Sequence, residues 1–195
     1  ANGMTRDGLT IGLIAYASVA AFYSAFDLLA ARGALYTVNL LGRTLFRGLR
    51  DPAVLQHPTQ LDYGAIVWYN GLHLLASLAI GLVVLKLVQE AERRPHRAAA
   101  MLAGIVLGFL VTIAVVGWLS APLRVVLPWW SIVVANTIAV MLAAAYMLWR
   151  RPGIWSRLVP FGLGGSKEIF RVTGAVVVAG ALATAACAGP APDGG

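Results

Sequence analysis

The chain has 195 residues, of which 59% are hydrophobic and only 12% charged, with a formal net charge of +7. A single cysteine, Cys187, excludes an internal disulfide framework, a CxxC redox pair and an iron–sulfur site, and three scattered histidines, His57, His73 and His96, argue against a protein-only zinc site. In a soluble chain the positive charge would suggest nucleic acid. Here most Arg and Lys residues border long apolar segments, where topology and anionic headgroups explain them, and no nucleic-acid partner is expected.

A hydrocarbon core of about 30 Å and a rise of about 1.5 Å per residue set one helical span at roughly 20 apolar residues. The first stretch that meets this covers about residues 9–31 and carries Ala17, Ala21 and Ala25 at four-residue spacing, a face that another helix can approach closely. A loop of about 32–62 follows. Within it, residues 36–50 place Leu40, Leu41, Leu45, Phe46 and Leu49 roughly on one face and Arg43, Arg47 and Arg50 elsewhere, the pattern of an amphipathic helix in the membrane interface. Two prolines make residues 51–60 read as extended.

The second span, about 63–88, is the richest in polar and aromatic residues. The third, about 98–119, contains Gly104 and Gly108 as a GxxxG packing face. The fourth, about 130–149, repeats the small-residue spacing at Ala135, Ala139 and Ala143. A weaker fifth segment, about 172–188, reads as a further helix. A competing reading takes Lys167 and Arg171, the apolar stretch and the small residues before Cys187 as a lipoprotein-like signal, although Thr184 stands where leucine is usual. The chain begins with Ala rather than Met, which implies processing or trimming. The expected fold is therefore all-α: an integral membrane bundle, with a four-helix transmembrane domain over 1–171 and a fifth helix and Gly/Pro tail over 172–195.

On alternate sides of five spans, ten Arg and Lys residues fall on the side of Arg6, Arg93, Arg94, Arg97, Arg150 and Arg151, and five on the side of Arg32, Arg43, Arg47, Arg50 and Arg124. The positive-inside rule then places the N-terminus in the cytoplasm and the C-terminus outside, in a bacterial inner membrane. Trp118, Trp129 and Trp130 mark the outer interface, Trp149 and Trp155 the inner one.

Polar groups inside a bilayer are costly, so each needs a reason. In this orientation Asp27, Asn70, His73, Thr112 and Asn136 fall in the outer half or middle of their helices, with Ser77 one turn deeper. Asn70, His73 and Ser77 share one helical face. The expectation is a structural polar cluster in the outer half, holding the bundle together by hydrogen bonds between helices. Two sharper roles compete with it. His73, with Asn70 beside it, can serve as the axial ligand of a haem or a (bacterio)chlorophyll-type pigment; a bis-histidine haem would need a second intramembrane histidine, which the sequence lacks. Asp27 and His73 can instead carry protons or solute, but no charged residue continues that path through the inner half.

Residues 162–167 suggest a phosphate loop but lack the GxxxxGK[ST] pattern, and no catalytic arrangement of side chains appears. The function expected is a non-enzymatic accessory subunit of a larger energy-transducing membrane complex, photosynthetic or respiratory, with other integral membrane subunits and bound lipids as its partners. The alternatives are a single-histidine pigment or haem protein and a small polytopic transporter.

Overall fold

A computed structural model describes residues 2–49 and 60–151. The expected fifth helix at 172–188, its lipoprotein-like alternative at Cys187 and the stretch from 51 to 59 lie outside the described residues. Among those described there are five α-helices and no strand: α1 (Asn2–Leu29), α2 (Tyr36–Arg47), α3 (Tyr63–Arg93), α4 (Ala98–Leu119) and α5 (Trp129–Arg150). Four of them, α1, α3, α4 and α5, contain segments long and apolar enough to cross a membrane. Helix α4 coincides with the third expected segment, residue for residue. Helix α1 starts earlier than its apolar run, and α3 continues to Arg93, five residues past the expected end at Val88. At 31 residues α3 is roughly 46 Å long, so its ends project beyond a hydrocarbon core of about 30 Å.

Helix α1 packs along α3 and against α5, while α4 leans on α3 and more lightly on α5. The surface is apolar: Val67, Leu75 and Met141 are each about two-thirds exposed. This suits a helix whose outer neighbour is lipid, because hydrocarbon tails solvate Leu and Val as well as a protein core does. Close helix approach is built instead from small residues. A Cβ on Gly12 would stand 2.6 Å from the Ser77 carbonyl oxygen, and one on Gly81 would stand 2.5 Å from that of Gly8, so α1 and α3 cross backbone to backbone. Gly42 of α2 meets the Ala65 backbone of α3 in the same way.

The expected packing residues divide. Ala135 and Ala139 are buried, as a helix–helix face requires. Gly104 and Gly108 are exposed, and nothing lies within 4 Å of a Cβ placed on either. Ala17, Ala21 and Ala25 are exposed as well. Among the described residues, the bundle is thus closed by glycines of α1, α2 and α3, and the GxxxG face of α4 points outward.

Helix α2 covers one end of the bundle. Leu40 joins Leu123, Leu127 and Ile132 in a buried apolar cluster flanked by Tyr23 and Trp129. Leu45 and Phe46, expected on the same face as Leu40, remain exposed. The helix stops at Gly48, whose φ of 67° is the left-handed conformation that glycine adopts without a Cβ penalty. The opposite end is held by charge. The Asp7 carboxylate lies 3.4 Å from Arg150 and 3.7 Å from Arg151, and Arg151 reaches Glu92 at 3.1 Å, which ties α1, α3 and α5 together.

Candidate functional site

Three places are candidates: two gather polar side chains and divide Asp27, Asn70, His73 and Ser77 of the expected outer-half cluster between them, and the third is a mainly apolar groove. The first is the junction under α2. Leu35, at the N-cap of α2, supplies no side-chain cap. The need is met from ten residues away: Asp27, 1% exposed at the end of α1, accepts the Thr37 backbone N–H at 2.7 Å and the Thr37 hydroxyl at 2.6 Å. A carboxylate at that point satisfies one of the free N–H groups of the first turn and faces the positive end of the helix dipole.

The same junction then sets the start of α3. Asn39 of α2, fully buried, donates its amide N–H to the Gln60 carbonyl at 3.3 Å and accepts the Asp62 N–H at 2.9 Å. Asp62 is the N-cap of α3 and accepts the Ala65 N–H at 2.9 Å. Its other oxygen takes the Arg47 guanidinium at 3.0 Å. The Arg47 hydrogen bond, helped by the Ala65 N–H, holds the Asp62 carboxyl below the usual carboxylate range. The same contact raises Arg47 above its ordinary value. One loop is therefore fastened by a chain of caps, Asp27 to Thr37 and then Asn39 and Arg47 to Asp62.

The second place is the middle of the α1–α3 interface. Tyr16 donates its hydroxyl to the Asn70 side-chain carbonyl at 3.0 Å, while the Asn70 amide donates back to the Ile66 carbonyl of its own helix at 2.9 Å. The His73 imidazole is near two rings, 5.2 Å from Tyr16 and 6.0 Å from Tyr69, centre to centre. Ser77 is buried one turn further along, where Gly12 crosses it. Asn70, His73 and Ser77 thus occupy one face, turned toward α1. Asp27 stands eleven residues beyond Tyr16 on α1, roughly 16 Å along the helix, and belongs to the first place instead. Thr112 bonds the Gly108 carbonyl at 2.8 Å and Asn136 the Ile132 carbonyl at 2.8 Å, each within its own helix. Neither joins Tyr16 and Asn70.

The third place is a groove of about 360 Å³ between α2, α3, the end of α4 and the turn after it. Leu45, Tyr69, Trp118, Leu119 and Pro122 are among its walls, and so is Thr44. The Thr44 hydroxyl oxygen is shut off from solvent and has no hydrogen-bond partner among the described residues.

Sequence reasoning missed Tyr16, Asn39, Asp62, Asp7 and the groove. Asp62 carried a local signal, an Asp immediately ahead of an apolar run, which is an N-cap signature. Tyr16 and Asn39 carried none, because their partners are 54 and 23 residues away. Among the described residues no three His, Cys, Asp or Glu side chains stand close enough together to hold a metal ion. Comparison with protein-family models, curated proteins and solved structures gives no match, so the functional reading rests on this geometry.

Proposed function

We propose that the chain is a non-catalytic subunit of a larger membrane assembly, embedded through its four long helices and contributing packing surface rather than chemistry. The observation that carries this reading is the outward GxxxG face of α4. Among the described residues, Gly104 and Gly108 are exposed with nothing near their missing side chains, whereas Gly8, Gly12, Gly42 and Gly81 are in backbone contact with neighbouring helices. A lipid-facing position gains more from Leu or Ile than from Gly, and small residues four apart are the usual seat of another helix. The row Ala17, Ala21 and Ala25 offers a second such seat on α1.

Two features favour packing over the alternatives. The polar groups inside the bundle are consumed by neighbours, Asp27 by Thr37 and Asn70 by Tyr16, which leaves them poorly placed for carrying protons or solute. The His73 imidazole has the Tyr16 ring 5.2 Å and the Tyr69 ring 6.0 Å away, centre to centre, which favours an aromatic packing role for it. An energy-transducing complex, photosynthetic or respiratory, is the assembly proposed, in a bacterial inner membrane with Arg6, Arg94 and Arg150 on the cytoplasmic side. The exposed Leu45 and Phe46 suit α2 to the opposite interface.

The test is co-purification of the full chain from gently solubilised native membranes, followed by native electrophoresis. A high-mass complex is expected, and Gly104→Ile with Gly108→Ile should release the chain from it while leaving its own helices folded. A wild-type chain that runs alone as a monomer overturns the reading.

A further inference from the structure

The groove under α2 differs from an ordinary furrow between helices in three respects, which together name its occupant. Its walls are mainly apolar and open beside surface that faces hydrocarbon: Leu45 is 42% exposed, Leu119 45% and Trp118 75%. Thr44 is among its walls, and the Thr44 hydroxyl oxygen, shut off from solvent in its present rotamer, has no hydrogen-bond partner among the described residues. A buried hydroxyl without a partner is unfavourable. Threonine in a helix has two accessible χ1 wells, so this hydroxyl can turn to an acceptor that enters the groove. The third respect is depth. Tyr69 is six residues into α3, roughly 9 Å from its start, and Trp118 is next to the last residue of α4. That is the level at which Trp and Tyr collect in bilayers, beside the headgroup and ester region.

Charge completes the description. Arg124 follows the groove-lining Ala121 and Pro122 in the same turn, and its guanidinium is held over the Trp129 ring, 5.6 Å from the ring centre. No carboxylate pairs with it among the described residues. We infer that this groove is a binding site for one anionic phospholipid. An acyl chain lies along Leu45 and Leu119, an ester carbonyl oxygen accepts the Thr44 hydroxyl, and the phosphate end meets Arg124.

The experiment uses the full chain, purified in detergent and stripped of lipid, with bound lipid counted by native mass spectrometry during titration with phosphatidylglycerol or phosphatidylcholine. One saturable phosphatidylglycerol per chain is expected, about fivefold tighter than phosphatidylcholine, as one arginine near the headgroup implies. Arg124→Gln should abolish that preference, weakening phosphatidylglycerol more than phosphatidylcholine. Thr44→Val should weaken both lipids about fivefold, while Thr44→Ser, which keeps the hydroxyl, should bind like wild type. Leu45→Trp should block both, and glycerol phosphate without acyl chains should not compete. Circular dichroism and gel filtration of each variant separate lost binding from lost fold. The inference is overturned if the wild type holds no saturable lipid, if Leu45→Trp binds normally, if Thr44→Ser is as weak as Thr44→Val, if the two lipids bind equally, or if glycerol phosphate displaces the lipid.

Discussion

Asp27 caps a helix to which it does not belong: its carboxylate accepts both the backbone N–H and the hydroxyl of Thr37, at 2.7 and 2.6 Å, across the turn between α1 and α2. This gives the buried acid a structural reason and predicts how its variants differ. Asp27→Ala leaves two buried donors without an acceptor and should destabilise the chain by about 2–4 kcal/mol. Asp27→Asn can still accept the N–H and donate its amide to the Thr37 oxygen, so about 1 kcal/mol is expected. Thermal unfolding in detergent measures both. Equal losses would remove the capping role.

The two sets of glycines should respond with opposite sign. Gly81→Ala places a methyl group where the Gly8 carbonyl and Gly12 backbone already are, and should destabilise by about 1–3 kcal/mol. Gly104→Ala meets nothing among the described residues and removes a flexible residue from a helix, so the isolated chain should gain up to about 1 kcal/mol. Thermal melts of the two variants check the contrast, and a destabilised Gly104→Ala would mean that α4 has a neighbour on that side.

Asp62 gives the loop a pH dependence on the acid side. Its folded carboxyl is held below the ordinary value near 4 by Arg47 and the Ala65 N–H. A lowered folded value contributes stability that is complete above the ordinary carboxylate range and is lost as pH falls toward the lowered one. Asp62→Asn keeps a good N-cap but removes the titration. The expected outcome is a shallower fall in melting temperature between about pH 5 and pH 3 than in wild type; parallel curves would show that this pair does not contribute.

At the other end, Asp7 joins α1 to the last turn of α5 through Arg150 and Arg151, with the Tyr146 hydroxyl donating at 3.4 Å. The Asp7 side chain is only 12% exposed, while its Arg150 partner is 45% exposed, so part of the attraction is screened. Asp7→Asn should cost about 1–2 kcal/mol at low salt. Because salt already weakens the exposed part of the pair, the difference from wild type should shrink in about 1 M salt. A difference that does not change with salt would assign the effect to packing instead.

The four long helices were legible because crossing a bilayer demands that every backbone N–H and C=O be satisfied within the segment, over a length set by the membrane. That requirement is local, and it left uninterrupted apolar runs at 98–119 and 130–149 whose bounds the structure repeats to within a residue. Helix α2 was legible for the same kind of reason, its Leu and Arg positions separating around one helical turn. The polar residues were legible as anomalies, though not in their partnerships: Asp27 was expected beside Asn70 and His73, and is found instead under Thr37.

Local pattern was enough to give the four long helices and α2, and to mark the residues out of place in them. Which faces meet depends on contacts between distant parts of the chain. Gly8 and Gly12 form a GxxxG pair as good as that of Gly104 and Gly108, yet the first is pressed against α3 and the second faces outward. The two are indistinguishable locally because a lipid tail and a leucine are equally apolar, so no hydrophobic difference marks an inward face in a membrane helix. The choice is made by distant partners: Tyr16 with Asn70, Asp7 with Arg150, Gly12 with Ser77.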